Sequence, residues 1–325
     1  MRKHHWVWTS VWMESGDRDA RVKLAGQLKS VAKNKMIPST QPKPGLTILH
    51  VAFLCACLMI AAIAWNSLRA WVELAQYSEQ SSSFWIIPLI SISLLYERRL
   101  TVFANTRFLP SGLVLAAMGA AIFAASFSLH NHFSRADANI LAILGVVVSL
   151  AGAFLACYGK DAWREARFPL GFLLFAVPIP QIILVPLVRW LQFGSAAVVS
   201  LLFTLLHVQY VRDGLSFYLS SLNIEIAPEC SGIRSSFALL VLVVLLSHLA
   251  LHSTWRRLIL ILTAVPLVLV KNGIRIVTLS LLTIYVNPTV ISGPLHRSGG
   301  FLFFGVVLAI EGLLCWLLQR SETAT

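Results

Sequence analysis

Three short stretches of this chain carry side chains that can do covalent chemistry. The first is Ala227-Pro228-Glu229-Cys230-Ser231-Gly232-Ile233-Arg234, a polar, thiol-bearing turn set directly before the apolar run Phe237 to Leu251. The second is Lys271, Asn272 and Arg275, which interrupt a run otherwise apolar from Leu258 to Tyr285. The third is His296 in Gly293-Pro294-Leu295-His296-Arg297-Ser298-Gly299-Gly300, a turn leading into the last apolar run. A thiolate, a base and a cation able to stabilise a developing oxyanion are the components of Cys/His acyl transfer.

Each stretch also has a plainer reading. A thiol at a helix N-terminus is acidified by the helix dipole. If Ser231 to Ser236 begin a helix, Arg234 lies one turn from Cys230 on the same face and acts in the same sense, while Glu229 opposes it. Most single cysteines are nonetheless inert, and Cys230 can equally be a structural thiol. Lys271 and Arg275, at i and i+4, share a helix face. A charge at mid-bilayer costs about 3 kcal/mol on insertion scales, so such residues face a bundle interior, a cavity or the headgroups. They can also simply snorkel to the interface, but Asn272 is too short to do so. Histidine exchanges protons near neutral pH and suits a general base; taken alone, His296 reads as well as an ordinary interfacial histidine. His130 and His132 form an HxH pair without third and fourth ligands, which argues against a metal site there.

The elements that must position these groups are membrane helices. The chain has 325 residues, 57% of them hydrophobic and only 12% charged, with a mean hydropathy of +0.76. These values exclude an ordinary soluble domain. Apolar runs of roughly 20 residues recur, the length of a helical span, and no ~10-residue alternating strands of a membrane barrel are seen. The expected fold is an all-α polytopic membrane protein. Of the five cysteines, Cys55, Cys57, Cys157 and Cys315 lie in or at the ends of apolar runs, and only Cys230 has a polar setting. Their odd number and spacing argue against a disulfide framework or a zinc site. The net charge of +12 forms no basic stripe interleaved with aromatics, so nucleic-acid binding is not expected.

Eight spans are predicted, at 46–66, 84–96, 110–129, 138–158, 168–188, 235–252, 257–285 and 299–318. The fifth contains Pro178-Ile179-Pro180 and Pro186 and is expected to kink or break. Residues 1–45 read as a basic, disordered cytoplasmic tail, with Met36 a second candidate start, and 319–325 as a cytoplasmic end. With the N-terminus inside, Lys and Arg divide 18 inside against 6 outside, which supports an N-in, C-in layout. The long connection 189–234 then lies outside. Its first part, Leu191 to Leu206, reads as an interfacial or re-entrant segment, a ninth span being disfavoured because Arg256-Arg257 would then face outward. Its second part reads as a hairpin, Val208–Val211 and Leu215–Leu219, followed by an extended piece Asn223–Ile226. This small external element delivers Cys230 to the mouth of span six, on the side of Arg275 and His296. No internal repeat or glycine-rich phosphate loop is present, and no second soluble domain is expected.

Together these motifs resemble the exosortase/archaeosortase family: Glu229-Cys230-Ser231-Gly232-Ile233-Arg234, then Asn272-Gly273-Ile274-Arg275, then His296 after Gly293-Pro294-Leu295. Phe168-Pro169-Leu170 and Phe175-Ala176-Val177-Pro178-Ile179-Pro180 also look like that family's proline-broken fifth helix. The resemblance implies a single transmembrane domain over 46–318, with Cys230 as nucleophile, Arg275 as the essential arginine and His296 as the third catalytic residue. Asn272, Arg234 and Glu229 would support them. Histidine at the third position points to a bacterial member, and no fused C-terminal soluble domain is expected. The implied activity is that of a cysteine protease or transpeptidase in the bacterial inner membrane, working at its external face without metal or organic cofactor. Its partners would be exported proteins bearing a PEP-CTERM-like signal (a C-terminal motif, an apolar helix and a basic tail), membrane lipid, and a surface glycan or lipid acceptor. The alternative is a transporter or channel subunit with Lys271 and Arg275 lining an anion path.

Overall fold

The computed structural model describes residues 44–77, 86–128, 134–288 and 300–323. Leu49–Thr325 forms one compact unit. In chain order the helices are α1 (Pro44–Ile63), α2 (Trp65–Tyr77), α3 (Ile86–Glu97), the single turn α4 (Arg99–Val102), α5 (Ser111–Ser128), α6 (Arg135–Phe172), α7 (Gln181–Leu205), α8 (Ile233–Ala250), α9 (Thr254–Tyr285) and α10 (Gly300–Thr323). Between α7 and α8 lies a three-stranded antiparallel meander, β1 (Tyr210–Asp213), β2 (Ser216–Leu219) and β3 (Asn223–Glu225). Among the described residues seven helices are long and apolar enough to cross a membrane, and α3 is a shorter apolar helix. The protein is thus an all-α polytopic membrane protein with one small sheet.

α6 has 38 residues, and a straight helix of that size would be about 57 Å long. It is not straight. Gly159, at φ +81°, breaks it, and the Asp137 carboxylate accepts a hydrogen bond of 2.9 Å from the Gln181 backbone N–H. The start and the sequel of α6 therefore meet, and the chain doubles back at Gly159 into two arms, 135–158 and 160–172. Ser134 caps the first arm by accepting from the Asp137 N–H. The second arm passes through a 3₁₀ turn, Leu173–Ala176, whose last carbonyl accepts from Trp71 Nε1 at 2.8 Å.

The first arm of α6 packs against α5 almost backbone to backbone. A Cβ placed on Gly152 would lie 2.2 Å from the Ala116 nitrogen, and one on Gly112 would lie 2.2 Å from the Ala156 nitrogen. Small residues permit this approach, which is how helices associate where no hydrophobic driving force separates protein from lipid.

Two boundaries differ from the sequence expectation. Residues 160–167 are helical, not a loop. Ala162 and Ala166 are buried while Lys160, Asp161, Arg164, Glu165 and Arg167 are exposed, so the charges decorate one side of an amphipathic turn. The predicted fifth span, 168–188, is two elements: the returning arm ends at Ala176, and Pro178-Ile179-Pro180 separates it from α7. Proline lacks an N–H and restricts its predecessor, so two of them at this spacing end a helix. Pro186 lies near the start of α7 and is accommodated within it. The segment Leu191 to Leu206, expected to be interfacial or re-entrant, is helical almost throughout and continuous with the start of α7, a helix of 25 residues. The non-helical part of the connection begins at 206.

Candidate active site

The sheet sets the approach to Cys230. Gly214, at φ +60°, turns β1 into β2, and the alternation of β2 buries Phe217 and Leu219 while exposing Tyr218. Phe217, Leu219 and Ile226 pack with Ala196, Val199 and Phe203 of α7 and Val277 of α9. This is the hairpin and extended piece expected from Asp213-Gly214 and the period-two pattern. Arg212 fastens the turn, donating from Nε to the Gly214 carbonyl at 2.9 Å and from Nη1 to Ser200 Oγ at 3.1 Å.

Beyond β3 the chain makes a 3₁₀ turn, Pro228–Ser231, with proline at its start. The Cys230 N–H donates to the Ala227 carbonyl at 2.9 Å. Cys230 is in no disulfide and is half-buried, and its side chain packs on the apolar cluster that holds Ile276 and Val277, the two residues after Arg275. Gly232 follows in the left-handed region, φ +75°, and only then does α8 begin at Ile233. Cys230 and Arg234 therefore do not share one α-helix, and the expected helix start at Ser231 is corrected to Ile233. Arg234 is exposed in the first turn of α8.

α9 grips this turn on both sides of Gly232. Asn272, 1% exposed, donates from Nδ2 to the Cys230 carbonyl at 2.8 Å and to Ser195 Oγ at 2.9 Å. A Cβ on Gly232 would lie 3.1 Å from Asn272 Oδ1, so glycine is needed there for both backbone conformation and space. Lys271, also buried, donates from Nζ to Ser235 Oγ, and Ser235 Oγ donates to the Gly232 carbonyl at 3.0 Å. Lys271 thus does not snorkel: it lies inside the bundle. Arg275 follows one turn along α9 and is half-buried.

Two residues of α7 belong to the same arrangement and were not singled out from the sequence. Gln192, buried, donates from Nε2 to the Ile226 carbonyl at 2.7 Å, and Ser195 receives Asn272. The available signal was their polarity at i and i+3 inside an otherwise apolar run. α7 can approach because Gly273 is bare: a Cβ there would lie 2.4 Å from Val198 Cγ1.

The structure therefore brings Cys230 and Asn272 together and sets Arg275 on the same stretch of α9. His296 and its turn lie outside the described residues, as does the His130/His132 pair, and the side chain of Glu229 is not among those described. No group of three or more metal-ligating side chains occurs among the described residues.

Fold and site define a multi-pass membrane protein that holds a thiol in a rigid turn at the start of one apolar helix. The family model for transmembrane exosortase (EpsH) matches residues 65–312, most of the chain, and the protein belongs to that family. Searches of curated proteins and of solved structures give no match. Exosortases are membrane-embedded, cysteine-type sorting peptidases or transpeptidases that act on exported proteins with C-terminal sorting signals.

Proposed function

We propose that this chain is an exosortase whose nucleophile is Cys230, with Arg275 and His296 completing the catalytic set. Its substrates are exported proteins held in the membrane by a C-terminal motif, an apolar helix and a basic end. The Cys230 sulfur attacks the backbone carbonyl carbon just outside that helix, and a C–S bond forms. Arg275 stabilises the oxyanion or orients the carbonyl. His296 takes the thiol proton and delivers it to the departing amine nitrogen as the C–N bond breaks. The thioester then passes its acyl group to a surface glycan or lipid nucleophile, or to water, which regenerates the thiol. The working orientation is N-in and C-in across the bacterial inner membrane, with the site on the external face of one transmembrane domain spanning 46–318.

The observation that carries this reading is the 2.8 Å bond from Asn272 to the Cys230 carbonyl. It joins two motifs 42 residues apart, so Arg275 comes with Asn272 to the neighbourhood of the thiol turn. A solute path lined by Lys271 is disfavoured, since that side chain is 5% exposed and bonded to Ser235. The test is processing of a co-expressed protein from the same genome that ends in a sorting motif, an apolar helix and an arginine-rich tail. Cleavage should vanish in Cys230→Ala and fall steeply in Cys230→Ser, serine being the weaker acid. Undiminished cleavage by Cys230→Ala sinks the proposal.

A further inference from the structure

A second cluster lies away from the thiol turn. Arg98 stands between α3 and α4, Arg167 on the returning arm of α6, His248 in the last turn of α8 and Arg257 at the start of α9. His248 is the hub. Its ring stacks on Phe168, with centroids 3.4 Å apart and planes 5° from parallel, and Arg98 Nη2 lies 3.4 Å from its Nε2. A guanidinium has only donors, so Nε2 is the acceptor there. Arg257 donates from Nε and Nη2 to the carbonyl of Leu251 at 2.8 and 2.5 Å, three residues beyond His248. Arg167 adjoins Phe168 in the chain, next to the ring that stacks on His248.

Three guanidiniums thus converge from three elements, and none makes an ion pair among the described residues. Among the described residues Arg69 pairs with Glu73, and Arg256 with Glu322, which His252 also approaches. Arg256 is instructive: it sits beside Arg257, yet it is paired with Glu322 and the Ser321 carbonyl. The nearest acids in sequence, Glu97 and Glu165, are exposed and pair with none of the three. Like charges gathered without a counter-ion repel, and a guanidinium fork suits the oxygens of a phosphate. The position selects the source of that phosphate. α3 ends at Glu97, α8 ends at Ala250 and α9 begins at Thr254, so the cluster lies where three apolar helices reach their ends, which is headgroup depth. Trp255, 68% exposed, is a side chain of the interfacial type in the same turn.

We infer that Arg98, Arg167 and Arg257 form a binding site for the phosphate of an anionic lipid headgroup, clamping α3, α6 and α9 together around the His248–Phe168 stack. Bound lipid ties the helix ends of the catalytic half to the α3 and α6 pair, and does so independently of the chemistry at Cys230. Basic recesses between helix ends are known to take such headgroups.

The test uses the full chain in neutral detergent, with thermal unfolding and native mass spectrometry as readouts. The additions are phosphatidylglycerol, phosphatidylcholine or inorganic phosphate. Phosphatidylglycerol should raise the unfolding midpoint of the parent by about 5 °C near saturation and give a retained lipid adduct. Phosphatidylcholine should do neither. The double variant Arg98→Gln/Arg167→Gln should lose most of both effects. Arg69→Gln/Arg320→Gln, which removes the same charge elsewhere, should keep them. An equal gain in both double variants, or an equal gain from phosphatidylcholine, overturns the inference. A full shift from inorganic phosphate alone overturns the lipid assignment in favour of a soluble anion. If Arg98→Gln/Arg167→Gln fails to fold, Arg167→Gln alone decides, since its side chain is exposed.

Discussion

The α5–α6 pair and the α7–α9 pair are both close helix contacts, yet they are held by different physics. α5 and the first arm of α6 meet through glycine, alanine and serine, and what joins them is contact between backbones. α7 and α9 also use a bare glycine, Gly273, to come close. There the proximity serves a further purpose: Gln192, Ser195, Lys271 and Asn272 reach out of the contact to hold the turn around Cys230. A helix satisfies its own backbone groups, so a helix pair needs only shape. A loop entering the same apolar surroundings has carbonyls of its own to satisfy, and buried amides on α7 and α9 supply the donors. The first contact is about fit, the second about donors, and the two should fail differently.

The largest separation is expected from Cys230→Ala. Processing should fall by at least about a thousandfold, while expression and the unfolding midpoint stay at parental values, as read by a cleavage gel beside a thermal scan. Gly152→Val tests the other contact. Its branched side chain meets the Ala116 backbone, which cannot move aside, and stability should drop by about 3 kcal/mol, seen as poor yield and a lowered midpoint; whatever folds should still cleave. Asn272→Asp comes next. The change is isosteric but replaces the donor to the Cys230 carbonyl with an acceptor, a loss on the order of 2 kcal/mol. Turnover should fall further than in Asn272→Ser, and equal turnover in the two would remove the donor argument. The smallest effect is expected from Gln192→Leu, which leaves the Ile226 carbonyl without its donor at a cost of about 1 kcal/mol. A midpoint lowered by a few degrees with modestly reduced cleavage is the expected result, and an unchanged midpoint would show that carbonyl to be satisfied otherwise.

Much of the site region was legible because local chemistry dictated it. Asp213-Gly214 between alternating segments requires a hairpin, whereas the left-handed step at Gly232 was not foreseen, since Ser231 to Ser236 read as the start of the helix. Asn272 stood out because a short amide inside an apolar run cannot snorkel to the interface. The register that joins it to the Cys230 carbonyl was not legible, since it depends on how far α7 and α9 slide together, and that is set by Gly273 against Val198. The ends of α6 and α7 were misplaced for a related reason. The charges at 160–167 have the composition of a loop, but the buried stripe of Ala162 and Ala166 carries too little hydropathy to announce a helix. Pro178 and Pro180 read as a kink or a break within one span, and nothing local distinguishes the two. The Asp137–Gln181 bond, 44 residues across, is invisible to any local pattern.

That bond has a consequence for how the protein is made. The segment from Asp137 to Gln181 closes on itself, with its charged residues gathered near the Gly159 bend and its ends latched at the opposite pole. Such a unit can enter a bilayer as a hairpin in a single event as the polypeptide emerges. It would then stand as a finished post, with α5 against one arm, before any residue of the thiol turn had been translated.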